Sequence, residues 1–389
     1  METVSVGICS DGKKLTLVFP DTVKTENAPR VEEEVLSALS SHSPEKVTID
    51  ASRLQYISSA GLRIILRLLK RYPHLSVIEV SPEVYEILDV TGFTSMMAVK
   101  RRLQRISTEG CPVIGSGKNG CVYRLSPDTI VKVHYKKNTP DDIVREQQMA
   151  RFGFISGIPT AIPFSIVRAG EHLGTVYELL DAASLSQEIR EHPENMVFLI
   201  QRYICLLKIL HSAVPDMREL PKDLSLPDRK AEIISWAECT ADILGSEDTD
   251  RLKSILSEQI APSNTLLHGD PHPGNVMDVA GEMNLIDMDG LGIGDPLLDL
   301  AAIMSTVIGF PALMHDDFIG WHDPEINVRF WQTLFDGYYT GLSPNEKEQK
   351  LRVIRLCMHT RLTRYSLRHP EVSEEDRKKE ADCLRSLLR

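Results

Sequence analysis

The first hundred residues switch between short apolar runs of period two and longer amphipathic stretches. Residues 4–8 and 15–19 read as strands, joined by Cys9-Ser10-Asp11-Gly12, a hairpin signal. Residues 27–40 place Val31, Val35, Leu36 and Leu39 on one face, which predicts a helix. Residues 47–49 form a short buried strand. Over 59–72, Leu62, Ile65, Leu66 and Leu69 recur at three- and four-residue spacing, while Arg63, Arg67, Lys70 and Arg71 fall mostly on the other side. A strand over 77–80 and a helix over 82–88, with Pro82 in its first turn, follow. Strands alternating with helices imply a partly parallel sheet covered by helices.

The polar, basic segment 100–110 separates this unit from a different pattern. Its cluster Lys100-Arg101-Arg102 reads as a solvated helix end. Residues 113–133 are β-rich, 141–151 helical, and 163–167 and 175–179 strand-like. After Asp181 the chain is mainly helical, with an irregular interruption over 268–295. The expected organisation is an α/β domain over 1–105, then a domain over 106–389 with a small lobe (about 111–180) and a helical lobe (about 181–389).

Composition narrows the options. Apolar residues are 42% and charged residues 25% of 389, the mixture of a globular protein and not of a disordered chain. Lys+Arg is 44 and Asp+Glu 55, a net charge of −11, so no nucleic-acid partner is expected. The uncharged apolar stretch 300–314 is broken by Gly309 and Pro311 and too short to cross a bilayer, so no membrane partner is expected either. The N-terminus lacks the pattern of a signal peptide. Seven scattered cysteines, without a CxxC pair, argue against a disulfide framework and for a reducing cytoplasm.

Three segments carry candidate chemistry. Gly115-Ser116-Gly117-Lys118-Asn119-Gly120 is a G-x-G-x-x-G followed by a strand. A strand–glycine loop–strand can form a flap over nucleotide phosphates, or be an ordinary glycine-rich hairpin. Lys132 lies in the apolar run Ile130-Val131-Lys132-Val133. It either points to water from an edge strand or needs an anionic partner, for which Glu146 in the next helix is placed. The third segment is His268-Gly269-Asp270-Pro271-His272-Pro273-Gly274-Asn275, followed by Leu285-Ile286-Asp287. An Asp, an Asn five residues on, and a second Asp after a short strand make an oxygen-donor set suited to Mg²⁺. Asp270 suits the positioning of an attacking hydroxyl; Asn275 and Asp287 suit metal binding. Zinc at His268 and His272 is disfavoured, because Gly and Pro between them prevent the helix that would align both rings.

These motifs, in this order, resemble the aminoglycoside phosphotransferase-like family, relatives of the protein kinases with a two-lobed α+β fold. Val176-Tyr177-Glu178-Leu179, Leu210-His211 and Gly294-Asp295-Pro296-Leu297-Leu298-Asp299-Leu300 add to the match. The resemblance implies ATP, with GTP possible, and Mg²⁺ as cofactors, and a small-molecule hydroxyl as acceptor. It implies Asp270 as catalytic base, Asn275 and Asp287 as Mg²⁺ ligands, and Lys132 with Glu146 on the phosphates beneath Gly115, Gly117 and Gly120. Backbone groups near Glu178 and Leu180 would meet the adenine. Asp295 and Asp299 read as anchors of helix starts, and His268 and His272 as holding the loop.

Residues 1–105 resemble the STAS domain of anti-sigma factor antagonists. The match rests on the Asp50-to-Leu62 segment, on Val80-Ser81-Pro82-Glu83-Val84 and on Leu88-Asp89-Val90-Thr91-Gly92-Phe93. Ser58 or Ser59 can cap the helix that starts there, and a phosphate at either would sit in the field of the helix N-terminus. The resemblance places the phosphoacceptor at Ser59, preceded by Ser58 where antagonists commonly carry Asp. It implies an anti-sigma-factor-like protein partner. The expected function is an ATP- and Mg²⁺-dependent phosphotransferase with a regulatory or partner-binding STAS domain. The alternatives are a signalling protein whose kinase domain phosphorylates a protein, Ser59 in cis included, and an inactive nucleotide-binding scaffold.

Overall fold

The computed structural model describes residues 3–8, 13–117, 120–135, 138–221, 224–314, 319–321 and 323–389. The hairpin signal at Cys9-Ser10-Asp11-Gly12 and the loop residues Lys118 and Asn119 lie outside them. The chain divides into two compact units, Met1–Ile106 and Ser107–Arg389.

The first unit is a five-stranded sheet in the order Ser5–Ile8, Lys14–Val18, Lys46–Asp50, Ser76–Val80, Ala98–Arg101. The first pair is antiparallel and the others parallel. Leu15, Leu17, Val47, Ile49 and Val77 point into one buried core with Val31, Val35, Ile65 and Leu68 from the helices Ala28–His42 and Ser59–Arg71. Ser58 is the cap of the second helix, and its hydroxyl accepts the Gly61 N–H; Ser59 is the first helical residue and is exposed. Gly61 is required by packing, since a Cβ there would lie 2.6 Å from the Ile57 side chain. The cluster at 100–102 is not a helix end. It closes the edge strand Ala98–Arg101, where Arg101 stacks on Tyr85 and Arg102 donates to the Ser52 carbonyl. Both guanidiniums cover neighbouring surface from a strand, which the helix expectation did not allow for.

The second unit opens with antiparallel strands in the order Pro163–Ala169, His172–Glu178, Thr129–His134, Gly120–Arg124, Val113–Ser116. The helix Pro140–Ile155 packs on this sheet. It starts at a capping box: Thr139 accepts from the Asp142 N–H, and Asp142 accepts from the Thr139 N–H. The helical lobe follows, built on a core that includes Tyr203, Leu207, Leu285, Leu300, Phe330 and Leu362. The stretch Leu297–Met314 is long and apolar enough to cross a membrane and is 67% buried within this lobe. It does not break at Gly309 and Pro311. A π-helical segment, Ser305–Gly309, carries it through, and wider turns accommodate a ring that cannot donate to the preceding turn.

Candidate active site

The site is assembled from both lobes of the second unit. Lys132 projects from the strand Thr129–His134, Glu146 from the helix Pro140–Ile155, and Asp287 follows the strand Glu282–Leu285. Lys132 Nζ donates to Glu146 Oε1 at 2.8 Å and to Asp287 Oδ1 at 2.6 Å. The lysine is thus not pointing to water: its side chain is 17% exposed, against 37% for Asp287. Burial alone would lower the Lys132 pKa, but the two carboxylates more than offset it and hold the ammonium above its usual value. Burial raises the Asp287 carboxyl, and Lys132 overcomes that too, leaving it below the usual range. Asp289 keeps solvent contact, yet the protein crowded around it and the Asp287 charge push its carboxyl up to about 7.

Asp287 itself has φ 64° and ψ 56°, the left-handed region. A non-glycine residue held there stores strain of roughly 1–3 kcal/mol, and such strain collects at functional sites. The turn after it is fixed by Arg229, which donates to the Gly290 carbonyl and to Glu232.

Asp270 lies on a loop tied at every step. Asp299 Oδ2 accepts the His268 N–H at 2.9 Å, and its Oδ1 accepts the Gly269 N–H at 2.8 Å. His211 Nε2 meets Asp299 Oδ2 at 3.1 Å, and Tyr338 holds the other side of that imidazole at 2.7 Å. Asp299 is fully buried. Burial raises its carboxyl, and the His211 bond and the loop N–H groups bring it below the usual range. Asp299 is therefore not an anchor of its own helix start, as expected, because its oxygens face the loop across the core. Asp295 does serve a helix start: its Oδ1 accepts the Leu297 N–H. His268 bridges two segments, with Nδ1 taking the Asp270 N–H and Nε2 donating to the Ile286 carbonyl. Tyr203 donates to the Pro271 carbonyl. Asn275 Nδ2 donates to the Asp270 carbonyl at 3.0 Å, which orients its Oδ1 as an oxygen donor.

Lys132, Glu146, Asn275 and Asp287 border one cavity of about 500 Å³, and Asp270 is not among its described lining residues. Gly115, Gly117 and Gly120 line it as well. Ile130, Ala150, Ala161, Tyr177, Ile286 and Met288 add apolar lining suited to a flat ring. Gly120 is needed by the sheet itself, since a Cβ there would lie 2.3 Å from the Val133 carbonyl oxygen. Glu178 and Leu180 are not among the described residues that line the cavity. The Glu178 N–H and carboxylate are both spent on Ile162, and the Leu180 carbonyl on Ala182.

The profile of the phosphotransferase enzyme family (aminoglycoside phosphotransferase type) matches residues 110–338. The chain belongs to this family. The STAS domain profile matches residues 11–106, so the protein is an N-terminal STAS domain followed by a phosphotransferase domain of kinase-like fold. Over 81 residues, 20% of this chain, it is 37% identical to BtrV of Bordetella bronchiseptica, a protein assigned as an anti-sigma factor antagonist, and covers 69% of it. The GDP complex of wild-type aminoglycoside 2'-phosphotransferase-IIIa is 13% identical, with a TM-score of 0.50 over 78% of this chain and 97% of that one. The GDP and kanamycin complex of the same enzyme is 12% identical, with a TM-score of 0.50 over 78% and 97%. At these identities the structures speak to fold alone.

Sequence reasoning missed three groups: Arg361, whose Nη2 donates to Asp270 Oδ1 at 3.2 Å; the Asp299–His211 clamp; and Asp289. Leu210-His211 and Asp299 were visible as motif residues, but their mutual contact was not. Arg361 is one arginine among several on a long helix and carries no local signal.

Proposed function

We propose that the phosphotransferase domain moves the γ-phosphoryl group of ATP, with GTP as a second donor, to the hydroxyl of a small molecule. The observation that carries this reading is that Lys132, Glu146, Asn275 and Asp287 border one cavity with the glycine loop, while Asp270 stands beside it on a clamped loop. Asn275 and Asp287 offer one amide and one carboxylate oxygen. That set fits Mg²⁺, which takes few protein ligands and completes its shell with phosphate and water. When bound it would neutralise phosphate charge. Lys132 would hold the phosphates, oriented by Glu146. Asp270 would accept the proton as the acceptor oxygen bonds to phosphorus and the bond to the nucleoside diphosphate breaks.

We read the STAS domain as a module that binds an anti-sigma-factor-like protein. The exposed Ser59 supports it as a site of regulation: Ser58 already caps the helix, so a phosphate at Ser59 would meet the helix N-terminus without displacing the cap. The six cysteines among the described residues are free thiols, which supports a reducing cytoplasm as the setting. The test is an acceptor screen with labelled ATP, run beside Asp270→Asn. Wild type should label an acceptor. The variant should lose about 10²–10⁴-fold in transfer, the range of a general base, while its melting temperature still rises with ATP and Mg²⁺. Undiminished transfer by the variant would refute the base assignment. Mass spectrometry of wild type after ATP treatment tests Ser59 in cis.

A further inference from the structure

We propose that the acceptor is a small hydroxyl compound carrying a carboxylate or phosphate group, and that Arg361 binds that anion beside Asp270. The proposal rests on the phosphotransfer reading and deepens it by naming the acceptor's class. A second cavity, of about 50 Å³, borders the catalytic loop through Gly269 and shares no residue with the nucleotide cavity. Arg229, Trp236, Asp299, Ser305, Cys357 and Arg361 are among its walls. Asp270 therefore lies on the loop between a large cavity for a donor and a small one for an acceptor.

Arg361 creates a conflict that an anion would resolve. Its guanidinium bonds Asp270 Oδ1 at 3.2 Å and lies 5.8 Å from the centre of the Phe310 ring. The bond occupies an Asp270 oxygen that would otherwise meet the acceptor's hydroxyl. Asp270 must be released to take a proton from the acceptor. A carboxylate or phosphate entering the small cavity would draw the guanidinium to itself, because the planar fork meets two oxygens at once. An ammonium acceptor would meet like charge instead.

The surrounding charges favour the same class. Arg364 and Arg368 lie one and two turns further along the helix Pro344–Arg368 that carries Arg361. Arg229 faces the same cavity. Burial, and next the Arg368 charge, hold the Arg364 pKa below its usual value, a sign of crowded cations. Its guanidinium stacks 4.5 Å from the centre of Trp236, another cavity wall. The nearby carboxylates are committed: Glu232 to Arg229, and Asp299 to His211 and the loop N–H groups. Burial holds the pKa of His272, 4.0 Å from Asp270 Oδ2, below its usual value. The Nε atoms of Arg229 and Arg364 are buried without a hydrogen-bond partner. The cavity size calls for an acceptor of few atoms, since one water already needs about 10–15 Å³ by this measure. Arg361 lies beyond residue 338, outside the segment matched by the phosphotransferase family.

The test uses the full-length protein with ATP and MgCl₂. Glycerate and glycerol 3-phosphate are the anionic probes, glycerol the neutral one, and choline and kanamycin the cationic ones. ADP release reports turnover; calorimetry with a non-hydrolysable ATP analogue reports binding. At least one anion should bind and turn over about tenfold better than glycerol. Arg361→Gln should remove about tenfold of that preference without changing the KM for ATP, and Arg361→Lys should fall between, keeping charge but losing the fork. The two anions separate carboxylate from phosphate recognition. Arg361-dependent anion binding without turnover would support the anion site and sink the phosphotransfer reading. Neutral or cationic acceptors used as well as the anions, transfer to protein hydroxyls only, or anion binding indifferent to Arg361 would overturn the proposal.

Discussion

The ammonium of Lys132 stands 2.6 Å from a carboxylate oxygen of Asp287, 155 residues further along the chain. This contact joins a strand of the small lobe to the metal-type donor of the helical lobe. On the proposed function both groups would have other work when nucleotide binds, Lys132 on phosphate oxygens and Asp287 on Mg²⁺. Lys132→Ala leaves Asp287 and Glu146 without their shared cation. Because Asp287 is more than a third exposed, the loss of stability should be modest, about 1–2 kcal/mol in urea unfolding. The rise in melting temperature produced by ATP and Mg²⁺ should shrink far more. An unchanged nucleotide response would remove Lys132 from the phosphate site.

Asp299 presents the opposite balance. It is fully buried, touches no part of the nucleotide cavity, and holds two consecutive N–H groups of the loop that bears Asp270. Asp299→Asn replaces one acceptor oxygen by a donor that faces N–H groups. The expected loss is about 3 kcal/mol, as for breaking a buried pair. Its mark as a positioning residue is a fall in kcat with little change in the KM for ATP. Equal losses in both would point to general unfolding.

These two residues also mark what a linear reading can reach. Lys132, Asp270, Asn275 and Asp287 sit in compact local motifs whose chemistry is tied to spacing, so their roles could be proposed from order alone. Both layers of the first unit were legible for a similar reason: strand and helix periods are local properties of the chain. Contacts that close across the core are not local. Asp299 follows a Gly-Asp-Pro turn and reads as a cap, yet its acceptor capacity is used 30 and 31 residues away. Arg361 meets Asp270 across 91 residues, from a helix whose other arginines look alike in sequence. The segment at 100–102 was misassigned because basic residues look the same on an edge strand as on a helix end.

His134 should make stability depend on pH. Its ring is 2% exposed, and Nε2 meets Thr175 Oγ1 at 3.1 Å. Burial lowers its pKa, only partly opposed by Glu146, so the folded protein keeps it neutral below the ordinary value of about 6.5. The unfolded chain takes up the proton first. Stability from this group is therefore complete above about pH 6.5 and falls on acidification, by at most about 1.4 kcal/mol per pH unit, until the folded ring also titrates. Urea midpoints from pH 7.5 to 5 measure it. His134→Gln should be less stable at pH 7.5 but lose less on acidification; an acid slope equal to wild type would assign the effect elsewhere.

Gly120 offers a test of why the loop is glycine-rich. Gly117 has open space where a Cβ would stand, so Gly117→Ala should leave stability within about 0.5 kcal/mol. Any loss in the KM for ATP there would report close approach of phosphates to the backbone. Gly120 differs, because its missing Cβ would strike the Val133 carbonyl at 2.3 Å, and that carbonyl belongs to the strand bearing Lys132. Backbone cannot rotate away as a side chain can. Gly120→Ala should therefore cost about 1–3 kcal/mol, as overpacking does, and should weaken nucleotide binding by displacing Lys132. Thermal melts of both variants, with and without ATP and Mg²⁺, separate the two roles. Equal behaviour of the variants would mean that the sheet absorbs the extra carbon and that Gly120 serves the ligand alone.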